Sequence, residues 1–333
     1  MKKLCQQTVG ALGERAMIKR LVQALPARNA LSVSRWIAGG PERADVVVGP
    51  GDDCAVVRPA DGARYDYLLK SDPVIEGVHF TRATPGAAVG HKALARVLSD
   101  IAAMGGEPLW ALVNLVAPPA MPVARVMDVY TGLRKLARHW RVAIVGGDVT
   151  RGPRLEAHVF GVGRVPRGQA ILRSGARSGD YLFVTGALGG SCRGKHLAFK
   201  PRLAEGRWLQ GRSLATAMID LSDGLATDLR HLIRQSRVGA ELFLTSIPLA
   251  PAIKKSISRR TALRHAFGDG EDYELLFTVS PVKAAKLIRA WPKVWKTPCT
   301  RIGTITYRRD VIECVDARGR KVRLKATGYE HFR

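Results

Sequence analysis

One pattern runs through this sequence and limits its fold, an alternation of local types. Short apolar runs of β character and helix-periodic segments follow one another along almost the whole chain. Val46-Val-Val-Gly49 and Ala55-Val-Val57 flank a Gly-Pro-Gly-Asp-Asp turn, and Tyr67–Ser71 gives a third strand ending at Asp72-Pro73. Gly90–Met104 predicts a helix stopped by Gly105-Gly106, then a strand over Trp110–Val116, a helix over Pro122–Trp140, and strands over Val142–Val145 and Leu155–Val162. After a linker near Val165-Pro-Arg-Gly-Gln-Ala170, strands are expected at Tyr181–Thr185, Glu241–Leu244 and Leu275–Val279. Helices are expected at Thr227–Gln235 and Val282–Trp291, and an amphipathic one over Gly13–Leu25 near the start. The class is therefore α/β or α+β, and 333 residues suffice for two domains with a core each.

Onto this frame the chain places aspartates where strands end. Asp52 and Asp53 lie in GPGDDCAVV, Asp72 in KSDPVIEGVHF, Asp148 in VGGDVTRG, and Asp220 and Asp223 in IDLSDGLATDL. Asp100 differs, sitting within a predicted apolar helix, LARVLSDIAAMGG. Any one of these serves equally well as a turn former or helix cap. Together they stand out, because lysine and arginine outnumber the carboxylates 53 to 28. Buried carboxylates need a positive partner, and none lies within Ala217–Leu229. Hard divalent ions with oxygen ligands suit such a set, and magnesium characteristically joins one or two carboxylates to substrate phosphates. Glycine-rich loops at Gly105-Gly106, Gly146-Gly147, Gly186–Gly190 and Gly268–Gly270 let a backbone approach phosphate closely.

Composition removes several classes. No apolar run approaches the ~20 residues of a membrane span, and no signal peptide is read. Five scattered cysteines without a CxxC pair predict neither a disulfide framework nor a zinc site, and point to a reducing cytoplasm. The net charge of +25 admits nucleic acid or phosphorylated substrates, yet the basic residues form no long block and no aromatic-interleaved strand, which disfavours nucleic acid as main partner. Gly189-Gly-Ser-Cys-Arg-Gly-Lys-His196 nearly matches the P-loop, but His196 stands where a hydroxyl should bind magnesium. Cys54, followed by Ala55, Val56 and Val57, is assigned to packing. No residue stands out as a covalent nucleophile, so no catalytic residue is named and transfer is expected to be direct and metal-assisted.

Taken in order, GERAMIKRL, GDDCAVV, SDPVIEGVHF, HKALARVLSDIAAMGGEP, GGDVTRGP, ILRSGARSGDYLFVTGALGGS, AMIDLSDGLATDL, GDGEDYELLFTV and TGYEHF resemble the thiamine-monophosphate kinase family, within the superfamily of aminoimidazole ribonucleotide synthetase. The resemblance implies a two-domain fold. Residues 1–165 would form an N-terminal domain that binds ATP and Mg2+ and dimerises through its helix-flanked sheet, and 166–333 a C-terminal α/β domain completing the active site. It implies a homodimer that passes the γ-phosphoryl of ATP to thiamine monophosphate with several Mg2+ ions. Asp53, Ser71, Asp72, Asp100, Asp148, Asp220 and Asp223 match metal positions. Gly147, Asp148, Arg173 and Ser222 match nucleotide positions, and His79, Glu271 and Tyr329 match positions near the thiamine phosphate. Lys70 departs from the family, standing where a hydroxyl residue usually lies beside a metal. The segment Gly190–Arg212 is also shorter than usual. Two alternatives are another ATP-dependent enzyme of the superfamily, of aminoimidazole ribonucleotide or selenophosphate synthetase type, and a basic nucleic-acid-binding protein without catalysis.

Overall fold

The computed structural model describes residues 16, 17, 20, 45–59, 63–254 and 257–324; most of the predicted Gly13–Leu25 helix, and Tyr329, lie outside them. The first half forms a six-stranded sheet from β1 (Asp45–Val48), β2 (Ala55–Arg58), β3 (Tyr65–Ile75), β4 (Glu107–Ala117), β5 (Ala143–Arg151) and β6 (Glu156–Pro166). The spatial order is β1-β2-β3-β6-β4-β5, antiparallel except for the β4–β5 pair. β3 runs on through Pro73, beyond the expected stop. β2 pairs only with Tyr67–Leu69, so past Leu69 that side of β3 has no strand partner among the described residues, and a missing N–H is tolerated there.

Two helices, α1 (Gly86–Ala103) and α2 (Val123–Trp140), cover one face of this sheet. Val97 and Ile101 of α1 lie against Gly161 and Gly163 of β6. The helices approach closely because glycines face backbone. A Cβ on Gly90 would sit 1.9 Å from Val129 O, and one on Gly132 1.9 Å from Ala87 O. Gly132→Ala must therefore push the helices apart, and is expected to cost about 1–3 kcal/mol or more, measured by denaturant unfolding.

The second half builds a seven-stranded sheet in the order β13-β12-β9-β11-β7-β10-β8. Its strands are β7 (Tyr181–Thr185), β8 (Ala215–Asp220), β9 (Gly239–Phe243), β10 (Leu275–Val279), β11 (Cys299–Thr306), β12 (Ile312–Val315) and β13 (Lys321–Arg323). Its helices are α3 (Leu203–Gly211), α4 (Leu225–Ser236), α5 (Pro251–Lys254), α6 (Arg259–Gly268) and α7 (Pro281–Val294). Strand alternation divides its side chains between two cores. Leu182, Val184, Ala217, Ile219 and Leu276 pack with Leu225, Leu229, Leu232 and Ile233 of α4. Phe183, Met218 and Phe277 instead join a core continuous with α1 and the first sheet. α3 cements this joint, since a Cβ on Gly206 would meet Ala102 O of α1 at 2.2 Å. Among the described residues no helix is long and apolar enough to cross a membrane.

Candidate active site at the joint between the two sheets

Three acids from three distant stretches meet where the halves join. Asp53 comes from the turn between β1 and β2, Asp100 from the last turns of α1, and Asp220 from the end of β8. Their carboxylate oxygens lie within 4.8 Å of one another, and all three residues are buried. α1 carries a polar stripe toward this point. Lys92, Arg96, Ser99 and Asp100 recur at helical spacing on one side of a mostly apolar helix. Ser99 Oγ donates to Asp220 Oδ2 at 2.6 Å.

Cations reach the cluster from outside Ala217–Leu229. The Arg173 guanidinium donates to Asp53 Oδ1 at 2.6 and 3.2 Å, and its amide N–H points at the Asp52 carboxylate. Lys70 Nζ lies 3.0 Å from Asp100 Oδ1 and 3.7 Å from Asp72 Oδ1, with an Arg96 nitrogen 3.9 Å from the latter. These are not enough to keep every acid ionised with ease. Burial, with the charge of Asp53 added, pushes Asp220 up to about 7 and Asp52 up to about 6. Burial likewise carries Asp100 well above the carboxylate range against the pull of Lys70. For Asp72 burial is again the largest influence, but Lys70 and Arg96 together hold it below its ordinary value. Asp53 Oδ2 is buried with no hydrogen-bond partner among the described residues. An orphaned carboxylate oxygen beside two strained acids is what a hard divalent cation would satisfy, so the residues present fit Mg2+.

Next to the cluster a cleft of about 170 Å3 is lined by His79, Arg96, Ser222, Asp223, Glu271 and Tyr273, among others. Its far wall is held by unusual backbone. Glu271 and Tyr273 adopt left-handed φ values of 55° and 49°, conformations that non-glycine residues occupy at a cost. The Glu271 N–H donates to Ser222 O at 2.7 Å, and Gly270 is needed because a Cβ there would meet Ser222 O at 2.6 Å. The Glu271 carboxylate takes the fully buried Lys92 ammonium at 2.6 Å and His196 Nδ1 at 2.9 Å, while Lys92 also donates to His79 O. Thus α1 of the first half is tied to the loop before β10. Burial opposes ionisation of Glu271, but the His196 hydrogen bond and the Lys92 charge hold it down at about 2. Its folded pKa lies below the ordinary 4.5, so its stabilisation is complete above pH 4.5 and lost as pH falls toward 2. Acid titration of unfolding free energy is expected to be shallower for Glu271→Gln than for the unaltered protein across that window.

The remaining expected positions fall elsewhere. Ser71 is exposed and, by strand alternation, faces away from α1, opposite to Lys70 and Asp72. Asp148 lies on the exposed edge strand β5, in one row with Asn114, His158 and Pro73. At about 4.8 Å per strand, that is roughly 14 Å across the sheet from β3. Gly147 adjoins it, packed so closely that a Cβ would meet Val113 O at 1.9 Å.

Other side chains have structural tasks. Asp228, third of the clustered aspartates, is buried in α4 and accepts the Asp223 N–H at 3.1 Å. The P-loop-like stretch forms two short 3-10 turns whose Lys195 goes to Glu274 Oε1 at 2.9 Å, while the Gly189 N–H and Ser191 Oγ go to Asp272. That loop is folded around protein carboxylates, which take up its lysine, its serine hydroxyl and its first amide. Cys54 is buried, as its neighbours indicated, and burial raises its thiol well above its usual value.

Two mixed sheets that share a core and contribute acids to one point define a class: the chain belongs to the AIR synthase related protein family. Its N-terminal domain model matches residues 51–165 and its C-terminal domain model residues 172–315. The relatives narrow this to thiamine-monophosphate kinases. That of Rhodopirellula baltica is 40% identical over 273 residues, covering 79% of this chain and 84% of the relative. That of Escherichia coli K12 is 35% identical over 314 residues, covering 87% and 93%. The solved structure of AaThiL complexed with AMPPCP and TMP is 27% identical and superposes with a TM-score of 0.77, covering 98% of this chain and 99% of that one.

Proposed function

We propose that the chain is an ATP-dependent thiamine-monophosphate kinase, forming thiamine diphosphate and ADP. The observation that carries the reading is the meeting of Asp53, Asp100 and Asp220 within 4.8 Å at the joint of the two halves. The curated relatives named thiamine-monophosphate kinase and the neighbour complexed with AMPPCP and TMP support it. A phosphate oxygen of thiamine monophosphate attacks the γ-phosphorus of ATP in line, a new P–O bond forms, and the bond to the bridging oxygen breaks as ADP leaves.

Such a transfer asks mainly for positioning and charge neutralisation. Asp53, Asp100 and Asp220 would hold Mg2+, with Asp72 and Asp223 at its margins, and the ion when bound supplies charge neutralisation between the phosphates. Arg173, fixed through Asp53 and Asp52, presents a guanidinium suited to a nucleotide phosphate, and Ser222 on the cleft wall keeps the nucleotide role that the resemblance implies. His79 and Glu271 line the cleft proposed for the acceptor, and Lys92 keeps them in register. Ser71, Gly147, Asp148 and Tyr329 keep metal, nucleotide and acceptor roles as proposals drawn from the resemblance.

We divide the chain functionally at 165/166, with dimerisation assigned to the first part. The sheet face away from α1 and α2 exposes Trp110 and Leu112 and carries the Tyr67–Trp110 stack, a surface suited to a second copy. A cytoplasmic setting is consistent with the free thiols of Cys54, Cys192, Cys299 and Cys314.

The test is an assay of thiamine diphosphate formation from ATP and thiamine monophosphate. Product is expected with Mg2+ and not after its removal by chelation. Absence of product in both, with ATP consumed on another superfamily acceptor, would overturn the assignment.

A further inference from the structure

Lys70 places an ammonium inside the carboxylate cluster. It projects from β3 on the helix-covered side and stands 3.0 Å from Asp100 and 3.7 Å from Asp72, with its side chain 24% exposed. Asp100 is also one of the three acids whose oxygens converge. The ammonium therefore bridges two carboxylates, a task that in an oxygen-ligand site falls to a metal ion. Arg96 flanks Asp72 and Arg173 holds Asp53, so three side-chain cations face four carboxylates, those of Asp53, Asp72, Asp100 and Asp220. The unmet demand lies at Asp53, whose Oδ2 is buried with no hydrogen-bond partner among the described residues. A divalent ion shared by Asp72 and Asp100 would sit against the Lys70 ammonium, and like charges at such range repel strongly in a buried setting.

We propose that Lys70 is a built-in substitute for a divalent cation between Asp72 and Asp100, so that the cluster binds one ion fewer than its carboxylates would otherwise hold. The metal is thereby confined to the Asp53, Asp100 and Asp220 side. This rests on the reading of that triad as a metal site.

The experiment is a calorimetric titration of the full chain with Mn2+ alone, counting bound ions for the unaltered protein, Lys70→Ser, Lys70→Gln, Lys70→Arg and Asp220→Asn. Both neutral variants are expected to bind one more Mn2+ per chain, and to gain more in melting temperature from it. Lys70→Arg should match the unaltered count, and Asp220→Asn should lose the unaltered protein's triad ion. An equal, non-zero count in the unaltered protein and in whichever neutral variant folds overturns the inference while leaving the metal site standing. No Mn2+ bound by any form overturns both.

Discussion

Asp220→Asn is expected to lower the rate of thiamine diphosphate formation by about 10²–10³-fold, the scale on which loss of one preorganised electrostatic group acts, without lowering the stability of the metal-free protein. Both effects come from one cause. Asp220 is buried beside Asp53, and its folded pKa stands near 7 against the ordinary 3.8. A carboxyl with a raised folded pKa opposes folding as pH climbs from 3.8 through 7, because the unfolded chain releases its proton more readily. Asparagine keeps the shape and an oxygen for the Ser99 hydroxyl but carries no charge to desolvate. Melting at pH 8 without metal should be unchanged or higher, while turnover collapses. A variant that lost both equally would point to a merely structural role for Asp220.

The second large effect is on stability. Glu271→Ala leaves the Lys92 ammonium, whose side chain is 0% exposed, without its counter-charge. Removing one partner of a buried pair typically costs about 3–5 kcal/mol. Lys92→Met should cost less, since the Glu271 carboxylate keeps His196 and is itself partly open to solvent. Lys92→Met combined with Glu271→Gln should recover part of the loss, because no unpaired charge is then buried. Denaturant unfolding of the three variants checks the order. Equal losses for the two single variants would mean that the pair contributes through packing alone.

What could be read from the chain follows the reach of local physics. Tyr181–Thr185 and Leu275–Val279 appear in the structure at the bounds their apolar runs suggest, because both are central strands buried on both sides. β8 and α3 leave only weak local traces. Ala215–Asp220 mixes small residues that gain strand character only between β10 and the joint core, and α3 earns its place by packing Gly206 on α1. Among site residues, the Asp53, Asp100 and Asp220 juxtaposition was legible as a surplus of acids in apolar settings. Lys92, Arg96 and Ser99 were not singled out, although their spacing with Asp100 along HKALARVLSD was a usable signal of a polar stripe on a buried helix. The engagement of Lys195 with Glu274, which dissolves the P-loop likeness, depends on a contact 79 residues away and has no local trace. Asp228 shows the converse limit: it lies in the same acid-rich stretch as Asp220 and Asp223, and the fold uses it to receive a turn amide.

One site shared by both halves underlies the proposed activity. Diffraction from crystals grown with Mn2+ and a non-hydrolysable ATP analogue, with the manganese located by its anomalous signal, tests it most directly. A peak is predicted between the carboxylates of Asp53, Asp100 and Asp220, next to the analogue's phosphates. Manganese found only elsewhere, with that triad empty and the analogue bound away from the joint, would contradict it.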